Sequence, residues 1–86
     1  MKIEQAFDYA KNHYDPFIDE LIDFLRIESV SSDPSRYDKI QEAAQWLASK
    51  LTSIGMQEVA LMKTALHPIV YGKYGSDITK PTVLIY

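Results

Sequence analysis

Between Tyr37 and Ile54 the apolar residues Tyr37, Ile40, Ala44, Leu47, Leu51 and Ile54 recur at steps of three or four, and Gly55 follows at once. That spacing lines one face of a helix; an alternating strand would throw half of these side chains into water. Gly55 supplies the left-handed stop, because a residue without Cβ enters that conformation at no steric cost. Ala43 and Trp46 widen the stripe. A long helix with one broad apolar face needs a second layer to lie on, and this requirement shapes the rest of the chain.

Upstream, Asp33-Pro34 opens this helix, predicted over 34–54: the carboxylate caps the first free amides, and proline at the first helical position loses no hydrogen bond. Asp15-Pro16 repeats the device and predicts a helix over 16–27. In it Phe17, Leu21 and Phe24 join Ile18, Ile22 and Leu25 in one stripe, with Asp19, Glu20 and Asp23 outside it. Ala6, Phe7, Ala10 and Tyr14 predict a further helix over 3–14, and residues 27–32 (IESVSS) read as an irregular connection.

After Gly55 the period changes. Val59, Leu61 and Met62 fall in a predicted strand over 56–63, and Ile69-Val70-Tyr71-Gly72-Lys73-Tyr74 in another over 69–74. A loop rich in turn residues, 75–81, leads to a third over 82–86 (TVLIY). The expected fold class is α/β, with the amino-terminal helices packed on a small mixed sheet. The run Val83-Leu84-Ile85 reads as a strand covered on both faces, deep in a sheet. Two or three amphipathic helices cover one face at most, so residues 1–86 are expected to be the front portion of something longer.

Composition narrows the function classes. No cysteine is present, which excludes a disulfide framework and thiolate zinc sites. A net charge of -3 and a pI near 5.2 count against a nucleic-acid partner. The charge is uneven: residues 1–43 carry ten acids against five bases, residues 45–86 two acids against four bases. The acidic half reads as a solvated helix surface. No apolar stretch is long enough to span a bilayer and no signal-type core follows Met1, so the expected location is cytoplasmic, without a membrane partner.

Chemistry-bearing patterns are sparse. His-Glu-x-x-His and Gly-x-Ser-x-Gly are both missing, and Gly55, Gly72 and Gly75 are too scattered to cradle phosphate. His13 could serve as a ligand or base, but its place near a helix end suits a dipole-facing imidazole. His67, before Pro68, could line a pocket, but reads as a loop residue. Neither has a ligand partner at metal-binding spacing. Asp15, Asp19, Glu20 and Asp23 imitate a paired-carboxylate site yet fall on the polar side of an amphipathic helix. Trp46 and the six tyrosines read as core or core margin.

The segment order carries more. FLRIESVS, the helix ending LTSIGM, the strand HPIVYGKYG and the final PTVLIY together resemble the amino-terminal part of the M20 metallopeptidases, over roughly Phe17 to Tyr86 and closest to the dipeptidase-like branch. The resemblance implies a domain in which the strand corresponding to PTVLIY hands over to a Gly-His-x-Asp turn, the first ligand of a two-zinc centre with its orienting acid. Later segments of that family supply the remaining ligands and a glutamate base, so that paired zinc ions activate a water. This sequence stops before that turn, and none of the family's catalytic, metal or substrate-binding residues maps onto residues 1–86. The expectation is therefore a scaffold fragment, inactive alone and binding no cofactor, of an enzyme that hydrolyses dipeptides or small acylated amino acids. The competing expectation is a stand-alone interaction module that self-associates or pairs through an exposed sheet face or edge.

Overall fold

The structure, a computed structural model, describes residues 2–86. They form an α/β chain with amino-terminal helices followed by a small sheet, and they divide into two compact units, one through Ala43 and one from Ala44 onward.

In the first unit, α1 spans Ile3–Asn12 and α2 spans Tyr14–Leu25. Only His13 separates them. Its backbone leaves the helical region (φ -111°, ψ 17°), yet it donates to the Tyr9 carbonyl at 3.0 Å and accepts from the Phe17 amide at 3.0 Å. α2 therefore starts two residues earlier than the sequence predicts, and Asp15 is not its cap. The chain arrives already helical, so no capping carboxylate is needed. Pro16 falls within the first turn, where amides have no intrahelical partner to lose.

The second Asp-Pro step behaves as a cap. The Asp33 carboxylate accepts from the Ser35 amide at 3.0 Å and from its hydroxyl at 2.7 Å, and Pro34 begins a 3₁₀ turn, Pro34–Arg36. α3, Tyr37–Ser53, follows directly. Here the chain comes off the irregular segment 26–33, so the new turn has no preceding helix to supply carbonyls, and Arg36 reaches back across that segment to pair with Glu28. On the α3 surface Lys39 bonds Glu42 at 3.0 Å, which holds the ammonium's pKa above its ordinary value.

The predicted burial of the first two helical stripes is not met. Phe17, Leu21, Ile22 and Leu25 are all exposed. Among the described residues the fully buried hydrophobic side chains are Ala43 and Ala44, both on the predicted stripe of α3.

The second unit is built around the end of α3. The Gly55 amide donates to Thr52 O and the Met56 amide to Leu51 O, each at 3.1 Å, with Gly55 at φ +98°. This paired 5→2 and 6→1 pattern is a Schellman motif, which satisfies the last carbonyls and turns the chain back. β1, Glu58–Met62, then pairs antiparallel with β2, Ile69–Lys73, in the register Glu58↔Lys73 through Met62↔Ile69. Val59, Leu61, Val70 and Gly72 thus share one face. A Cβ on Gly72 would lie 2.9 Å from Leu51 Cδ1 and 3.6 Å from Met56 Cγ. The motif's characteristic hydrophobic pair, Leu51 and Met56, therefore seats itself on the bare strand position.

Of the small mixed sheet, the described residues form this antiparallel pair. The third strand predicted over 82–86 is not formed: the segment is without secondary structure, and Val83, Leu84 and Ile85 are 80%, 83% and 89% exposed. A strand exists only through a neighbour's backbone, and none of the described residues pairs with this run.

Gly55→Ala forces a Cβ into the left-handed region and should weaken the motif by about 1 kcal/mol. Exchange of the Met56 amide should then accelerate roughly fivefold. Gly72→Ala should cost less, because the terminal methyl it meets belongs to Leu51, a side chain free to rotate. Equal acceleration in the two variants would contradict this ranking.

Candidate functional site

The residues singled out in the sequence do not converge. His13 is half-buried at the α1–α2 junction. Its ring Nδ1 lies 2.8 Å from the Tyr9 carbonyl, which can only accept, so Nδ1 carries the proton of this hydrogen bond. The ring stacks on Tyr9 with centroids 4.0 Å apart and on Phe17 at 6.0 Å. With one nitrogen tied to backbone and its ring packed beside Tyr9 and Phe17, this imidazole serves the helix junction.

His67 lies in the connection between β1 and β2. Thr64 organises that connection: its hydroxyl accepts from the Leu66 amide at 3.1 Å and donates to the His67 carbonyl. The contact fixes the His67 backbone.

The acids Asp15, Asp19 and Asp23 follow one another at i, i+4 steps along α2. Asp23 pairs with Arg26 at 3.4 Å, a surface i,i+3 contact of small energetic weight. Asp15 sits in the first turn of α2, where the helix dipole favours it. Among the described residues no three histidine or acidic side chains come together in a way that could hold a metal ion. The donor set therefore does not fit the paired zinc centre that the resemblance implies, and no chemical step can be routed through one here. Trp46 carries the Lys50 ammonium over its ring at 5.5 Å, an i,i+4 cation–π contact on α3.

One open groove of about 510 Å³ lies where β2 leads into the loop, lined by residues including Lys73, Gly75, Asp77, Lys80 and Val83. Its walls come from one continuous stretch of chain. The Gly75 amide is tied to Gln57 Oε1 at 3.1 Å, and Asp77 accepts from the Thr79 hydroxyl at 2.6 Å and amide at 3.0 Å. Those two bonds, the hydroxyl foremost, hold the Asp77 carboxyl below its ordinary pKa of 3.8. With the Asp77 carboxylate engaged in its own turn, the groove presents the ammonium groups of Lys73 and Lys80 beside the hydroxyls of Tyr74, Ser76 and Thr82. Sequence reasoning passed over this turn because Asp-x-Thr is a common loop pattern that marks no chemistry by itself.

Comparison with known proteins supplies what the geometry does not. The Cys-Gly metallodipeptidase of Candida albicans is 32% identical over 98 residues, an alignment covering all of this chain and 20% of that protein. Its counterpart in Schizosaccharomyces pombe is 32% identical over 95 residues, again across the whole chain and 20% of the relative. That of Saccharomyces cerevisiae is 27% identical over 82 residues, 81% of the chain and 17% of the relative. The chain thus spans about one fifth of the length of the curated relatives it matches. No family model matches it. No solved structure matches it. The chain is homologous, at modest identity and over most of its length, to metallodipeptidases of the M20 family.

The Asp77 turn gives a pH dependence of known sign. A carboxyl whose folded pKa is depressed contributes order above its unfolded value and loses it as pH falls through the folded one. The Thr79 amide resonance should therefore titrate with a midpoint below 3.8. Asp77→Asn should abolish the titration while leaving an acceptor in place. A midpoint at or above the ordinary carboxylate value would show that the turn does not persist in solution.

Proposed function

We propose that residues 1–86 form the amino-terminal scaffold of an M20-type catalytic domain, part of a metal-dependent peptidase or amidohydrolase acting on dipeptides or small acylated amino acids in the cytoplasm. The whole-chain match to two Cys-Gly metallodipeptidases carries this reading, and it favours dipeptides within that substrate class. The chain's contribution is mechanical. α3, its Schellman turn and the β1–β2 pair form a corner on which further sheet can be built. No residue of the chain serves as metal ligand, general base or substrate contact; two zinc ions belong to segments of the parent beyond this fifth. The dispersal of His13, His67 and the acids supports that division of labour.

A second reading rests on the exposed apolar run 83–85 and on the two-stranded sheet, whose outer edges face no further strand among the described residues. Such edges accept an added strand, so the chain could act as a module that pairs with itself.

Sequencing the coding DNA past the Tyr86 codon and assaying the uninterrupted product tests the first reading. The expected outcome is a Gly-His-x-Asp segment immediately downstream and Cys-Gly hydrolysis that is lost on chelation and restored by zinc. The 86-residue chain alone should neither cleave the dipeptide nor take up zinc stoichiometrically. Absence of that segment in every frame would remove the scaffold proposal. So would peptide cleavage by the short chain that disappears in His67→Ala. A sharply melting, monodisperse oligomer of the short chain, dissociating on dilution, would establish the second reading instead.

A further inference from the structure

The junction between α1 and α2 carries a feature that the scaffold reading does not use. Tyr9, His13 and Phe17 stand four residues apart, so their rings fall on one side of the chain. They form a three-ring cluster at the point where the backbone departs from helix: Tyr9 to His13 at 4.0 Å with planes 17° apart, His13 to Phe17 at 6.0 Å and 29°, Tyr9 to Phe17 at 6.1 Å and 44°. The Tyr9 carbonyl accepts twice from His13, from its amide at 3.0 Å and from its ring nitrogen at 2.8 Å.

Pro16 explains why such a cluster is useful. It has no amide hydrogen to offer the carbonyl four residues back, that of Asn12, so one rung of a continuous helix is unavailable at this junction. α1 has no buried residue of its own, and Ile3 and Phe7 are exposed. Ten residues without tertiary burial fall below the length at which a helix persists in water. What holds α1 must therefore be local, and the contacts that cross the junction include the His13 ring, its two bonds to Tyr9 O, the Phe17 amide bond to His13 O, and the Tyr9–Phe17 ring contact.

We propose that the Tyr9–His13–Phe17 cluster is a clasp: it splices α1 onto α2 across the proline step, and α1 becomes disordered when the clasp opens. His13 is a positioning residue in this device. Its ring supplies both the closest stack, on Tyr9, and the second hydrogen bond to the Tyr9 carbonyl.

Amide hydrogen exchange on the full 86-residue chain tests the proposal, with α2 as internal reference. His13→Ala should accelerate exchange of the α1 amides roughly threefold to tenfold, the range set by losing an aromatic pair and a terminal hydrogen bond. Amides in the second half of α2 should keep their rates. His13→Phe, which restores the ring but not the nitrogen, should recover part of the protection. The decisive variant repairs the missing rung. In a Pro16→Ala background α1 and α2 become one helix, and adding His13→Ala should then change α1 exchange little. Equal acceleration along both helices in His13→Ala would mean general destabilisation and overturn the clasp. An undiminished His13→Ala effect in the Pro16→Ala background would overturn the splice across proline.

Discussion

Leu51 and Met56, brought together by the Schellman turn at Gly55, rest on the bare backbone of Gly72 and so join the end of α3 to the hairpin. The turn alone would only stop a helix. The hydrophobic pair it creates converts that stop into a docking element, and the missing Cβ on β2 is what admits it. Two glycines thus serve different ends. Gly55 is required by its backbone angle, and Gly72 by the space above it. Since β1 follows the turn after a single residue, Gln57, fixing the helix end also fixes where the hairpin starts.

The two Asp-Pro steps show how identical local sequence takes different roles according to what precedes it. Asp33 follows irregular backbone, and its carboxylate satisfies amides that would otherwise be unpaired. Asp15 follows a helix that has scarcely ended, and the capping position has passed to His13, whose side chain caps nothing in α2. Its imidazole instead turns back to α1. Proline is compatible with both arrangements because the first turn of any helix has amides to spare. The dipeptide therefore indicates that a helix begins nearby without fixing where.

That contrast marks where the sequence is legible. Elements governed by local rules could be read: α3 from its 3–4 spacing, its end from Gly55, and the hairpin strands from their β-branched and aromatic runs. The clasp at His13 was visible only as a histidine near a helix end, because the i, i+4, i+8 aromatic spacing was absorbed into a general apolar pattern. Burial was read less well. Phe17, Leu21 and Leu25 have the spacing of a buried stripe, but spacing states only which side chains share a face. Whether that face is covered depends on residues distant in sequence. Of a functional site the sequence offers only separate histidines and a row of acids on α2, because local spacing does not say which distant residues meet.

The run 82–86 shows the same limit at its sharpest. Its composition makes it the most strand-like stretch in the chain, yet it is among the most exposed. There is no contradiction in this. A helix closes its own hydrogen bonds, so α3 can be specified by its own sequence, whereas a strand closes them only on a neighbour. β1 and β2 are joined by a short connection and find each other; the terminal run has no such partner among the described residues. Three consecutive apolar side chains held in water carry a hydrophobic cost of about 1.5–3 kcal/mol each relative to full burial. Any surface offering a parallel or antiparallel edge therefore gains both that term and a ladder of hydrogen bonds. The two functional readings differ only in the source of that edge: a further part of the same polypeptide in a metallodipeptidase-like domain, or another molecule. Homology that runs the length of the chain, but spans only a fifth of each relative, weights the choice toward the first.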